Sequence, residues 1–170
     1  MARNIVLIGL MGSGKTTVGN LIAQKLGKNF IDTDVLIEKE AQMTINEIFQ
    51  LYGETHFREL ESKIIKKLSL DSDQIISTGG GSVENQDNLK NLKETGILFY
   101  LKASAKELFE RIKNENNRPL LKNNDPLNTL EKLLEKREKF YTQANFIIST
   151  ENKQIDEIVN EIVEKYKKYE

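Results

Sequence analysis

Hydrophobic positions along the chain fall into two alternating rhythms. Short, nearly continuous apolar runs occur at Ile5-Val6-Leu7-Ile8, Phe30-Ile31, Ile75-Ile76, Ile97-Leu98-Phe99-Tyr100-Leu101 and Phe146-Ile147-Ile148. Between them apolar residues recur every three or four positions, as in Val18, Leu21, Ile22, Leu26 and again in Phe57, Leu60, Ile64, Leu68. Apolar strands alternating with amphipathic helices predict a parallel sheet covered on both faces. Further helices are expected over about Asn85–Glu94, Ala105–Asn114 and Ile155–Tyr169. Thr44-Ile45-Asn46-Glu47 is a capping box, with Met43 and Ile48 spaced as its hydrophobic staple, and Gly53 should interrupt the helix that follows. Asp125 caps another helix, with Pro126 at its first position, that runs to about Tyr141. Phe30-Ile31-Asp32-Thr33-Asp34 reads as a strand ending in two acids, with a helix from Val35. The one long polar break is Asn116 to Asn124, and no repeat or linker divides the 170 residues, so one α/β domain is expected.

Between the first strand and the first helix stands Gly9-Leu10-Met11-Gly12-Ser13-Gly14-Lys15-Thr16, the G-x-x-x-x-G-K-[ST] phosphate loop. Its glycines let the backbone wrap and aim N–H groups at one anion, which also meets the positive end of the new helix. The expected contacts run from Gly12, Ser13 and Gly14 through Thr17, with Lys15 on the β- and γ-phosphates and the Thr16 hydroxyl on Mg²⁺. The dinucleotide fingerprint fails, because Thr17 stands where a third glycine is needed.

Composition removes most other chemistries. The chain has no cysteine and one histidine, His56, which excludes disulfides, thiol catalysis and thiolate metal sites and disfavours a histidine cluster. Net charge is −1 with both signs interspersed, so a nucleic-acid partner is not expected. No apolar run approaches the roughly 20 residues of a membrane span, and Met1 leads almost directly into a strand, so a cytoplasmic protein without a signal peptide is expected. Only five of the 25 basic residues are arginines, which makes Arg58, Arg111, Arg118 and Arg137 candidates for forked recognition of carboxylate or phosphate.

Ligands of such sheets bind past the carboxyl ends of the strands. The Ile75-Ile76 strand ends without a carboxylate, so the metal-side acid is expected from Asp32. Asp34, about 10 Å from the phosphate-loop strand if two strands away, is placed to orient an alcohol and take its proton. Alternatively, both acids only cap the next helix. Gly79-Gly80-Gly81 at a strand end suggests backbone approached closely by a ligand, or else a simple turn. Arg58 and Arg137 have glutamates beside them and could instead form ion pairs on a solvated helix face. Arg118 precedes Pro119 in the polar break, where a lid arginine could close over a transferring phosphoryl group.

In order and spacing, Gly9–Thr16, Asp32-Thr33-Asp34, Phe57-Arg58-Glu59-Leu60-Glu61, Thr78–Gly81, Arg118-Pro119-Leu120 and Arg137 with Tyr141 resemble shikimate kinase, within the nucleoside-monophosphate-kinase-like phosphate-loop enzymes. The resemblance implies a three-layer α/β fold of P-loop kinase type, with a five-stranded parallel sheet of order 2-3-1-4-5 and helices on both faces. It implies a single domain over 1–170, with substrate-binding helices at about 33–61 and a lid at about 112–125. ATP and Mg²⁺ would serve phosphorylation of the shikimate 3-hydroxyl in aromatic amino-acid synthesis, by a monomer. Asp34 would act as base. Arg58 and Arg137 would bind the substrate carboxylate, Gly79, Gly80 and Gly81 the substrate through backbone, and Phe57 would wall the ring. Asp32 would hold Mg²⁺ through water, Arg111 would lie near adenine and Arg118 over the phosphates. Two places depart from the family pattern: Lys139 stands where a proline is common, and Thr150-Glu151-Asn152-Lys153 lacks the usual Arg/Pro pattern against adenine. Rival readings are a gluconate or nucleoside-monophosphate kinase, a GTPase switch (which lacks its Asn-Lys-x-Asp here) and a non-catalytic phosphate-loop module.

Overall fold

The computed structural model describes residues 3–115 and 124–169. Its strands are β1 (Asn4–Ile8), β2 (Asn29–Asp32), β3 (Gln74–Ser77), β4 (Gly96–Lys102) and β5 (Phe146–Ser149). They form one sheet of order β2-β3-β1-β4-β5 with every pair parallel. The helices are α1 (Lys15–Leu26), α2 (Thr33–Ala41), α3 (Ile45–Leu68), α4 (Gln86–Thr95), α5 (Ala105–Ile112), α6 (Pro126–Tyr141) and α7 (Ile155–Tyr169). No helix among the described residues is long and apolar enough to cross a membrane.

Strand periodicity divides the core in two. Val6, Ile8, Ile76, Leu98 and Tyr100 turn to one face, where they join Ile64, Leu89, Leu108 and Leu130 of α3, α4, α5 and α6. Ile5, Leu7, Ile75, Ile97 and Phe99 turn to the other, with Val18 and Ile22 of α1 and Ile162 and Tyr166 of α7. The expected double covering holds for the central strands, whereas the outer strands β2 and β5 are only partly covered. Close packing of α1 depends on Gly19: a methyl group there would lie 2.4 Å from the Phe30 ring and 3.2 Å from Leu7. Gly19→Ala is therefore expected to lower the unfolding free energy by about 1–3 kcal/mol in a urea titration. An unchanged midpoint would mean that this contact relaxes freely.

The structure corrects one boundary. β2 stops at Asp32, and Thr33 and Asp34 already belong to α2. The cause is local: the Asp32 carboxylate accepts the Asp34 backbone N–H at 3.0 Å and starts the helix two residues earlier than the apolar pattern suggests. The Thr44–Glu47 capping box is present, and Gly53 (φ 81°, ψ 175°) breaks α3 as expected. An unexpected 3₁₀ turn, Ser82–Glu84, follows the glycine triplet. Register then sets the site: Leu7 and Asp32 both lie opposite Ser77, so the phosphate loop, Asp32 and the triplet leave the same edge of the sheet.

Candidate active site

At that edge the phosphate loop turns on three left-handed glycines, Gly9 (φ 147°), Gly12 (φ 80°) and Gly14 (φ 92°). Gly9 and Gly12 also pack too closely for a side chain, with a methyl group coming within 2.8 Å of the Leu101 carbonyl and the Ile112 side chain, respectively. Gly14 is the N-cap of α1, no side chain caps that helix, and its first turn carries no acid, so its positive end faces the loop. The Lys15 ammonium lies inside the same loop, donating to the carbonyls of Gly9 (2.7 Å) and Leu10 (3.2 Å) and to Ser13 Oγ at 3.4 Å. Ser13 is buried, while Thr16 and Thr17 face outward.

Asp32 does two things at once. One oxygen caps α2 and the other accepts the Thr16 hydroxyl at 3.0 Å, so capping and a place beside the phosphate loop belong to the same carboxylate. A hydroxyl and a carboxylate oxygen at that separation are a hard-oxygen pair of the kind Mg²⁺ takes, along with phosphates and water. Among the described residues no cluster of three or more acids or histidines could hold a metal by itself. The donor set therefore fits a metal brought with a nucleotide.

Asp34 is the second residue of α2, in its first turn. Its Oδ1 is buried and has no hydrogen-bond partner among the described residues. Burial, followed by the nearby charges of Asp32 and Glu61, pushes its carboxyl up to about 6, against a smaller opposing pull from Lys15 and Arg58. Asp34 shares with Lys15, Thr16, Asp32, Gly79 and Gly80 a cavity of about 680 Å³. A roomier cavity of about 770 Å³ opens beside Lys102, Glu131 and Glu138, but no phosphate-loop residue lines it.

The triplet closes the far side. None of its three glycines is left-handed, so the demand here is for space rather than backbone freedom. A methyl group on Gly79 would lie 2.9 Å from Asp34 Oδ1, and one on Gly80 would lie 3.3 Å from Arg137 Nη1. On Gly81 it would meet Arg58 Nη2 at 2.5 Å and Arg137 Nη2 at 2.9 Å. Two guanidinium groups thus crowd one short stretch of backbone. Phe57, under the Arg58 guanidinium at 5.2 Å and against Phe49, is buried in the core rather than part of the cavity wall.

Both arginines do pair with glutamates: Arg58 meets the exposed Glu54 on its own helix face at 3.5 Å, and the shorter contacts of both lie beside the triplet. Arg58 Nη1 donates to Glu61 at 2.9 Å, and the other oxygen of this buried carboxylate accepts the Ser82 hydroxyl at 2.6 Å. Arg137 Nε donates to Glu84 at 2.6 Å across 53 residues of chain. Burial opposes ionisation of Glu84, but hydrogen bonds from Lys136 and Arg137 outweigh it and hold the carboxyl below its ordinary value. Glu61 was legible as an i+3 partner of Arg58, whereas nothing in the sequence marked Glu84. Tyr141 Oη donates to the Gly80 carbonyl at 2.6 Å, and α6 runs regularly through Lys139 to reach it.

On the opposite flank Arg111 bridges to Glu107, the Gly12 carbonyl and Thr150 at 3.1–3.4 Å. It walls a second cavity, of about 560 Å³, that also touches Thr17, Lys153 and Ile155. Arg118 lies outside the described residues.

Comparison with known proteins points to one family. The family model described as "Shikimate kinase" matches residues 11–167. A shikimate kinase of Thermodesulfovibrio yellowstonii is 45% identical, covering 98% of this chain and 96% of the relative. One of Caldicellulosiruptor bescii is 48% identical over 88% of this chain and 87% of its own. The structure of an Acinetobacter baumannii shikimate kinase in complex with shikimate superposes with a TM-score of 0.94 at 33% identity, over 100% of this chain and 96% of that one. A gluconokinase from Sinorhizobium meliloti, with a TM-score of 0.63 and 18% identity over 99% of this chain and 93% of that one, shares the fold alone.

Proposed function

The chain belongs to the shikimate kinase family, and we propose that it transfers the γ-phosphoryl group of ATP to the 3-hydroxyl of shikimate, giving shikimate 3-phosphate for aromatic amino-acid synthesis. The observation that carries this reading is one cavity lined by a phosphate loop, a buried aspartate oxygen without a partner among the described residues and Gly79-Gly80, with two guanidinium groups standing outside its lining against Gly80 and Gly81. Gly12, Ser13, Gly14, Lys15, Thr16 and Thr17 hold the phosphates through backbone N–H groups, the ammonium and hydroxyls. Arg111 flanks the nucleotide on the side of the second cavity. Thr16 and Asp32 would hold Mg²⁺, which would supply neutralisation of charge on the β- and γ-phosphates of ATP.

Asp34 orients the acceptor hydroxyl and takes its proton as the phosphoryl group leaves ATP. A carboxyl pushed up to about 6 remains ionised at neutral pH while being more basic than a free aspartate. Arg58 and Arg137 receive the shikimate carboxylate as forked donors, with Gly80 and Gly81 leaving them room and Gly79 leaving room for Asp34, while the backbone of Gly79, Gly80 and Gly81 meets the substrate. Phe57 supports that wall from beneath Arg58. Arg118 is assigned to the phosphates on the resemblance of Arg118-Pro119-Leu120 alone. The same reading makes residues 1–170 one kinase domain, with substrate-binding helices at about 33–61 and a lid at about 112–125, acting as a cytoplasmic monomer.

The test is ADP release with Mg-ATP and, in turn, shikimate, gluconate and nucleoside monophosphates. Turnover with shikimate only is expected. Turnover with gluconate and none with shikimate would discard the assignment.

A further inference from the structure

Arg137 is held from three directions. Its Nη atoms lie against Gly80 and Gly81, and it bonds the Tyr141 hydroxyl, which in turn donates to the Gly80 carbonyl. Its Nε donates to Glu84 Oε1 at 2.6 Å, from a side chain only 11% exposed. Glu84 stands at the end of the 3₁₀ turn that follows the glycines, so the segment leading directly out of the triplet carries the anchor.

A guanidinium donates in fixed directions, and engaging Nε–H decides where the two Nη groups point. We propose that Glu84 is a positioning residue for the acceptor: it fixes the rotation of the Arg137 fork so that its Nη groups can receive the shikimate carboxylate. This rests on the reading of Arg137 as a carboxylate binder. Glu84 does not touch substrate in this proposal; it acts through Arg137.

An opposing effect has to be weighed. An anion near a carboxylate subsite repels the ligand, so its removal could tighten binding. Lys136, at 2.8 Å from the other oxygen of Glu84, balances that charge. The field of Arg137 at the subsite is therefore not cancelled, and loss of orientation dominates.

The experiment compares Glu84→Ala, Glu84→Gln and Glu84→Asp, with Arg137→Lys as a background that removes the fork. Glu84→Ala is expected to raise KM for shikimate about tenfold, with kcat and KM for ATP within about twofold of the parent. Glu84→Gln, which keeps an acceptor of the same length, should restore most of the affinity. Glu84→Asp keeps the charge but withdraws the oxygens, and should raise KM as well; it decides the matter if the alanine variant does not fold. In the Arg137→Lys background Glu84→Ala should add almost nothing, because no fork remains to be turned.

The proposal is overturned by an unchanged or lower KM for shikimate in Glu84→Ala or Glu84→Asp. It is equally overturned by parallel rises for shikimate and ATP, or by effects that multiply across the two sites. The parent enzyme is the control. No shikimate turnover there counts against the proposed function itself, whereas normal parent turnover with an indifferent Glu84 counts against this inference only.

Discussion

Asp34→Asn is expected to abolish catalysis and stabilise the protein in the same stroke. The activity half follows from the proposed proton transfer, which should reduce kcat by about 10³-fold with ATP binding intact. The stability half follows from burial. Raising a carboxyl from 3.8 to about 6 corresponds to about 3 kcal/mol against the ionised folded form, at about 1.4 kcal/mol per pH unit. Part of the side chain remains open to water, which brings the expected gain at pH 7.5 nearer to about 2 kcal/mol. The sign is fixed by linkage. Between pH 4 and 6 the folded state holds the Asp34 proton more tightly than the unfolded chain, so this group's contribution falls as pH rises through that window. The asparagine variant escapes that loss, and its advantage in urea unfolding should shrink from pH 7.5 to pH 5. In the parent, kcat/KM for shikimate should fall as pH drops below about 6, where Asp34 gains its proton. A variant that is less stable than the parent and still turns over would reduce Asp34 to a helix residue with no chemistry.

This trade also explains which parts of the site the sequence could announce. The phosphate loop declares itself, because backbone wrapping and a helix start need particular residues at particular positions: Gly12 and Gly14 are left-handed, and Lys15 follows at once. Strand order was not contained in the periodicity of the strands, which is much the same for β1, β3 and β4, and came with the family resemblance. The two acids were ambiguous for a physical reason, since Asp32 both caps α2 and holds Thr16, and residue type cannot separate two roles played by one carboxylate. Glu84 was invisible because its partner lies 53 residues away and only the folded 3₁₀ turn joins them. The triplet was marked as backbone approached by a ligand; what residue type could not show is the second demand, the missing Cβ atoms as space for Asp34, Arg58 and Arg137.

Gly81→Ala is expected to disturb the arginines and leave the backbone alone. At φ −94° any residue fits the backbone, so the substitution meets no conformational penalty. Its methyl group would nevertheless stand 2.5 and 2.8 Å from the Nη atoms of Arg58 and 2.9 Å from Arg137 Nη2. These are the far ends of flexible side chains, so they move and the core does not, and the melting temperature should hold to within about 3 °C. Glu61 and Glu84, at 2.9 and 2.6 Å, hold the two forks where they now stand, so even a small shift that makes room for the methyl group turns both away from those positions. Charge-assisted hydrogen bonds contribute about 1.5–3 kcal/mol each, and two misplaced forks forfeit about 3–4 kcal/mol of substrate binding. The expected result is a fall in kcat/KM for shikimate of about 10²- to 10³-fold, with KM for ATP within about twofold. Steady-state kinetics in shikimate, beside a nucleotide-binding titration, reads both numbers. Equal losses for both substrates would trace the damage to the phosphate loop. A shikimate KM close to that of the parent would mean that the carboxylate is held somewhere other than over Gly81.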